Sequence, residues 1–245
     1  MFEKQFELGY FEMDQHGEAS PVTILTLLEE AAADHCLSIG HSLYDLLGKG
    51  IGWVLLSGRM VMERYPVYKE KITVKTWLSD FRTFRGTREN LIMGEEGDII
   101  GRAKGFWLFF DIERRRPARI FDEILDRWDI NPEESIEVDS TEVEALNSAL
   151  YRNEFLVHRY DMDSNEHVSN LRYLQWAMES IPVEIRDHCY LHTIDGNFIG
   201  EAQYGHTIES LIEPHGPEKT FIHTIRDIDG NQVCSTARTI WKDYK

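Results

Sequence analysis

Tyr160-Asp161-Met162-Asp163-Ser164-Asn165-Glu166-His167-Val168-Ser169-Asn170 is the stretch on which the reading of this chain turns. Before it, Phe155 to Tyr160 reads as a strand; after it, Asn170 through Ser180 reads as a helix. The same order opens the chain. Phe2 to Met13 is strand-like, with Phe6, Leu8 and Tyr10 alternating with charged or small residues. Ser20-Pro21 then supplies an N-cap with proline at the first helical position. The helix TILTLLEEAAADHCLSIG follows, with Leu25, Leu28, Ala32 and Cys36 on one stripe, and ends at Gly40. Met13-Asp14 precedes Ser20 as Met162-Asp163 precedes Ser169, with the same Asp-to-Ser spacing at an offset of 149 residues (163 − 14). A repeat of that period implies duplicated domains, not a solenoid.

Working outward, HSLYDLLGKG suggests a short second helix. Four strand-like runs come next: Trp53 to Tyr65, Lys71 to Asp80, Gly86 to Met93 and Ile99 to Asp111. They alternate and are rich in β-branched and aromatic residues. Long antiparallel strands behind one long helix mean an α+β fold, not a doubly wound sheet. Ile112 to Leu150 is polar and acidic, with Pro117 and Pro132, and reads as a connector with one or two helical turns. A second set of strands is expected around Asn197 to Glu213, Lys219 to Asp227 and Gln232 to Asp243. The expected organisation is an N-terminal unit over 1–130, a linker over 131–150 and a C-terminal unit over 151–245.

Composition narrows the function. The 245 residues carry a formal charge of −17, which argues against nucleic acid and against an anionic membrane surface. With 42% hydrophobic and 11% aromatic residues the chain is not disordered. Cys36, Cys189 and Cys234 lie far apart without a CxxC pair, the pattern of a reduced, intracellular protein. The start is charged within three residues, unlike a signal peptide, and no run reaches the ~18 apolar residues of a membrane span. A cytoplasmic location is expected.

In the deciding stretch, Asp163, Asn165 and His167 alternate, so an extended backbone would turn them to one side. The stretch leads into a helix start, where free N–H groups and the positive dipole end stabilise developing negative charge. A carboxylate, an amide and an imidazole beside such donors suit hydrolysis: proton transfer, orientation and oxyanion stabilisation. The same residue types also suit a plain capping loop. A third reading makes His158, Asp161, Asp163 and His167 metal ligands, although no HExxH spacing is present. Gly48-Lys49-Gly50-Ile51-Gly52 is not a dinucleotide loop, since a strand follows it, and there is no P-loop and no G-x-S-x-G elbow.

YDMDSNEHVSNLRYLQWAMES (160–180) resembles the motif region of the acyl-acyl carrier protein thioesterases, fatty acyl thioester hydrolases of plant plastids and bacteria. Their pattern is close to D-x-D-x-N-x-H-V-N-N-x-x-Y; here Ser169 stands in the first Asn position after the valine. Trp53-Val54 with MVMERYPVYKEKITVKTWL, then RTFRGTRENLI and IIGRAKGFWLFFDIERRRPARI, resemble the family's strand pairs, so the likeness covers nearly the whole chain. It implies a double hot-dog fold, two long helices each wrapped by an antiparallel sheet. It implies hydrolysis of fatty acyl-acyl carrier protein by activated water, without cofactor or metal, at Asp163, Asn165, His167 and Glu201. Some members carry a cysteine after that glutamate; Ala202 stands there, which excludes a thiol nucleophile at that position. On its own, Glu201 is a lone acid entering a strand with apolar neighbours. Asp14, His16 and Glu18 stand opposite Asp163, Asn165 and His167, so one active site per chain follows, with His16 structural and the first unit supplying walls for the acyl chain. Arg82, Arg85 and Arg88, with Arg114, Arg115, Arg116 and Arg119, suit either docking of the acidic carrier protein or internal ion pairs. The alternatives are an acyl-CoA thioesterase of the same fold and a non-catalytic acyl-binding protein. Chain-length preference is open, as is oligomeric state, for which a homodimer is one arrangement.

Overall fold

Ser20 does what its position demands: its hydroxyl accepts the Thr23 N–H at 3.1 Å, and Pro21 opens an 18-residue helix. The computed structural model describes every residue except Asp139, Ser164, Asn165, Glu166, Pro217 and Lys245. It divides into two units, Met1–Leu56 with Met60–Val138, and Ser57–Arg59 with Asp139–Lys245.

The first unit runs β1 (Phe2–Glu7), α1 (Pro21–Ser38), α2 (Leu43–Leu47), β2 (Ile51–Met62), β3 (Lys71–Arg82), β4 (Arg85–Met93), β5 (Ile99–Asp111), β6 (Arg116–Pro117) and α3 (Asp122–Leu125). The second runs β7 (Tyr151–Leu156), α4 (Asn170–Glu179), α5 (Val183–His188), β8 (Cys189–Phe198), β9 (Thr207–Pro214), β10 (Thr220–Asp227) and β11 (Gln232–Asp243). Strand order in the first unit is β1-β3-β4-β5-β2, with the short β6 on β5. In the second it is β7-β9-β10-β11-β8. Counted within each unit, both orders are first-third-fourth-fifth-second. β1–β3, β3–β4 and β4–β5 pair antiparallel, as do β7–β9, β9–β10, β10–β11 and β11–β8. Each unit is therefore a hot-dog: one long helix against an antiparallel sheet of the same topology.

α1 buries Ile24, Leu27, Leu28, Ala31, His35 and Cys36, so the core stripe lies slightly round the helix from the Leu25–Leu28–Ala32–Cys36 line expected from spacing. α4 buries Tyr173, Trp176 and Ala177 among Val157, Val168, Ile208, Ile225 and Cys234. Each large apolar side chain so buried contributes about 1.5–3 kcal/mol. Trp176 stacks on Phe155 at 6.0 Å and meets Tyr173 edge-on at 5.7 Å.

Three expectations change. β1 stops at Glu7 instead of reaching Met13, because Glu12 folds back to accept the Gly9 N–H and closes a 3-10 turn over Tyr10–Glu12. β7 likewise ends at Leu156, where Asp161 accepts the His158 N–H at 2.7 Å. β8 begins at Cys189, well before the expected Asn197, and Glu201 falls in the irregular segment after it instead of entering a strand. The hidden signal is a buried charge. Asp195, fully buried on β8, breaks the apolar alternation but is held by Arg59 at 2.5 Å and Arg238 at 2.6 Å.

The expected linker region is hydrogen-bonded along its length. Ser135 binds Glu89 through N at 3.0 Å and Oγ at 2.7 Å, and Leu146 N–H donates to Thr224 at 2.8 Å.

His223, on β10, is fully buried and bonds Thr239 through Nε2 at 2.8 Å; burial pushes its pKa down to about 3. The unfolded chain takes up a proton near pH 6.5 that the folded chain refuses, so stability is full above that pH and declines as pH falls from about 6.5 toward 3. Thermal melts across that window should fall less steeply in His223→Gln than in the wild type; parallel slopes would show that this imidazole does not set the acid limb.

Candidate active site

The turn leading into the long helix, α1 or α4, is built the same way in both units. In the first, Asp14 N–H donates to Glu18 O at 2.7 Å and Glu18 N–H donates to Asp14 Oδ1 at 3.3 Å. In the second, Asp163 N–H donates to His167 O at 2.7 Å and His167 N–H donates to Asp163 Oδ1 at 3.3 Å. Bridges Met13–Ala19 and Met162–Val168 flank the two clamps. Ser20 N–H donates to Glu12 O at 3.1 Å, and Ser169 N–H to Asp161 O at 2.9 Å. His16 sits in the first clamp with its N–H on Asp14 Oδ1 at 2.8 Å. The Asp163 carboxylate thus grips the backbone of His167. Because Asp14 makes the same bonds where no imidazole stands, this contact belongs to the loop.

The His167 ring reaches Glu201, with Nδ1 3.0 Å from Oε1. Both side chains are partly open to solvent, 32% for His167 and 41% for Glu201. A carboxylate at that distance selects the Nδ1–H tautomer and leaves Nε2 as the basic nitrogen. Asn165 lies outside the described residues.

Glu201 is held through its backbone from several sides. Ile199 and Gly200 N–H donate to Cys234 O at 2.8 and 3.1 Å. Gln232 Nε2 donates to Glu201 O at 2.8 Å, and Ala202 N–H donates to the Tyr173 hydroxyl at 2.9 Å. A Cβ on Gly200 would stand 2.8 Å from Val233 O, so only glycine lets the chain approach β11 there. Farther along, His206 Nδ1 and the buried Asp227 carboxylate meet at 2.8 Å. Tyr173, Gln232 and the His206–Asp227 pair were not legible as site residues, apart from Tyr173 as the last letter of the motif.

Several alternatives close. Asp161 of the metal reading is engaged with His158 N–H and with Arg172 Nε at 3.3 Å. The backbone N–H groups of His167 and Ser169, expected near an oxyanion, are committed to Asp163 and Asp161. Cys234 hydrogen-bonds the Tyr173 hydroxyl, and burial pushes its thiol up to about 11, so it is no thiolate nucleophile. Of the arginines, Arg82 pairs with Asp80, Arg114 with Asp111 and Arg119 with Asp122, while Arg88 is buried and belongs to no surface patch.

The fold defines the class, a duplicated hot-dog, and comparison narrows it. Residues 1–128 match the acyl-ACP thioesterase N-terminal domain and residues 144–243 the C-terminal domain. The chain belongs to the acyl-ACP thioesterase family. It is 26% identical to oleoyl-acyl carrier protein thioesterase 2, chloroplastic, of Arabidopsis thaliana, over 98% of this chain and 76% of that protein. It is 26% identical to the chloroplastic oleoyl-acyl carrier protein thioesterase of Coriandrum sativum, over 96% of this chain and 68% of that one. An acyl-ACP thioesterase from Bacteroides thetaiotaomicron shares the fold with a TM-score of 0.87 at 20% identity, over 98% of this chain and 97% of that one. The 12:0-ACP thioesterase from Umbellularia californica does so with a TM-score of 0.87 at 22% identity, over 99% and 97%. Among the described residues no helix is long and apolar enough to cross a membrane.

Tyr173 holds the segment that carries Glu201. Tyr173→Phe leaves the buried Ala202 N–H without its acceptor and should cost about 1–3 kcal/mol in denaturant melts. By loosening Glu201 it should lower kcat by roughly 10–100-fold with little change in KM. Wild-type kcat in a folded variant would show that the bond does not place Glu201.

Proposed function

We propose that His167 and Glu201 carry out the reaction of this family, hydrolysis of the thioester joining a fatty acyl group to acyl carrier protein. The observation that carries the assignment is the 3.0 Å contact between His167 Nδ1 and Glu201 Oε1. Glu201 holds the ring and stabilises its protonated form; Nε2 takes a proton from water as the oxygen attacks the thioester carbon. The tetrahedral oxyanion gains from the positive end of α4, with Asn165 as a further donor. The C–S bond then breaks, the imidazolium returns its proton to the leaving sulfur, and a free fatty acid and the carrier thiol result. Asp163 serves by fixing the His167 backbone.

Family membership favours acyl carrier protein over CoA as donor, and a catalytic protein over a passive acyl binder. In this reading the first unit supplies walls for the acyl chain. A cytoplasmic location is supported by three unpaired cysteines, all buried.

Purified protein offered acyl carrier protein and CoA thioesters, with thiol release followed, tests the assignment. His167→Ala should lower kcat by about 10²–10⁴-fold without loss of fold, the usual range for an acid–base group. Glu201→Gln removes the charge opposite the imidazolium and should fall in a similar range, about 10²–10⁴-fold. Full turnover in either folded variant would sink its role, and release from CoA exceeding that from carrier protein would reverse the donor.

A further inference from the structure

The loop that carries Glu201 recurs in the first unit, and the two copies are tied down differently. Residues 63–70 follow β2 and residues 199–206 follow β8, at an offset of 136 (206 − 70). Leu8 N–H donates to Glu70 O at 3.1 Å, and Val157 N–H to His206 O at 2.9 Å. Lys69 N–H donates to Leu8 O at 3.0 Å, and Gly205 N–H to Val157 O at 3.1 Å. Glu70 N–H and His206 N–H each donate at 3.1 Å to the carbonyl three residues back, on Val67 and Gln203. Loops with the same backbone bonds can be compared residue by residue.

In the first unit Tyr65 stands at the position of Glu201, and its buried ring is fixed by packing. Pro66 follows it, with no N–H to offer. That loop is closed from within: Glu70 accepts from Arg64 Nη1 and Nη2 at 3.1 and 2.8 Å and from the Val67 N–H at 3.1 Å. The second unit has other residues at each of these places. Glu201 is 41% open to solvent, so packing cannot fix it. Ala202 replaces the proline and gives its N–H to Tyr173. Gly200 stands where Arg64 stands, and His206 where Glu70 stands.

His206 reaches β10 instead of its own loop, and its Nδ1 meets Asp227 Oδ2 at 2.8 Å. A carboxylate only accepts, so Nδ1 carries the proton. Asp227 is fully buried and takes the Gly230 N–H on Oδ1 at 2.9 Å. It pairs in register with Gln232, whose side-chain amide holds the Glu201 carbonyl. The β10–β11 hairpin therefore grips the loop at Glu201 and again at its end. We propose that His206 is a positioning residue for Glu201: its bond to Asp227 keeps the loop end on β10 and thereby keeps the Glu201 carboxylate on His167 Nδ1. The proposal rests on the reading of His167 and Glu201 as the hydrolytic pair. Glu201 selects the Nδ1–H tautomer of His167, so its displacement lets the ring return toward the Nε2–H form that free imidazole side chains prefer.

The test reads that tautomer by nitrogen-15 NMR of ring-labelled histidine, with the His167 signals identified by their loss in His167→Ala, alongside steady-state hydrolysis of an acyl-acyl carrier protein. In His206→Leu the Nε2–H form of His167 should gain population, and kcat should fall roughly 10–100-fold with KM within about twofold. His206→Asn sets a side-chain N–H where Nδ1 stood and should restore both. Should His206→Leu fail to fold because Asp227 is left buried without its partner, His206→Leu combined with Asp227→Asn removes that charge and gives the same comparison. A wild-type His167 tautomer in the folded variant, or no recovery in His206→Asn, overturns the proposal. The tautomer is read without turnover, so the outcomes separate. A shifted tautomer with unchanged kcat keeps His206 as the support of Glu201 and removes the hydrolytic reading of the pair; an unshifted tautomer in a protein whose turnover still needs His167 and Glu201 does the reverse.

Discussion

The aspartate clamp before each long helix is the constraint on which the rest depends. Asp14 and Asp163 each bind the residue four positions on, both ways and through its backbone. The clamp fixes where the chain leaves its strand and where the helix begins, and it takes no account of the side chain at the clamped position. Glu18 occupies it in one unit and His167 in the other, with the same hydrogen-bond lengths. A fold that places a backbone without reading its side chain can exchange a glutamate for an imidazole without a new turn. In the second unit that imidazole lies 3.0 Å from the Glu201 carboxylate.

That partner is held by a different logic. Glu201 lies in a segment without regular structure, and its position comes from bonds to its neighbours' backbone: Ile199 and Gly200 on Cys234, Ala202 on Tyr173, and its own carbonyl on Gln232. The anchors Tyr173 and Cys234 are buried, whereas the histidine–glutamate pair is open to water. The proposed reaction needs both conditions, since the attacking water must enter while the groups that direct it stay within a fraction of an ångström.

These two logics explain what could be read in advance. β3, β4 and β5 lie within two residues of their expected limits, because runs rich in β-branched and aromatic residues bounded by turn signals mark strands. β8 escaped because Asp195 and Asn197 interrupt its pattern, and their burial depends on Arg59, Arg238 and Thr141, which are distant in sequence. The clamp was visible as a spacing, but its meaning was not: alternation suggested side chains on one face, while the carboxylate binds backbone. Glu201 rested on resemblance alone, since nothing local marks a loop glutamate 34 residues from its histidine (201 − 167). The Tyr173–Ala202 bond was illegible for the same reason. Arg88 misled because three arginines at short spacing look like a surface patch, whereas strand alternation turns this one inward.

The two units bury different polar side chains within one frame. Beneath α4 the second unit packs Tyr173, Trp176, Ala177, Ile208 and Ile225 beside the fully buried His223, whose Nε2 is paired with Thr239. The first unit has an ordinary clamp at its helix start and buries the polar Arg88 and Asn90 beneath α1. A polar group at the rim of a sheet costs little because water pairs it. The same group under a helix loses that water, and without a partner it destabilises the fold by about 1–3 kcal/mol. Apolar residues of similar size would relieve that cost, whereas a polar one demands a partner. Arg88 meets that demand through Thr76 and His35, whereas Asn90 Oδ1 stays unpaired, as does His223 Nδ1 in the second unit.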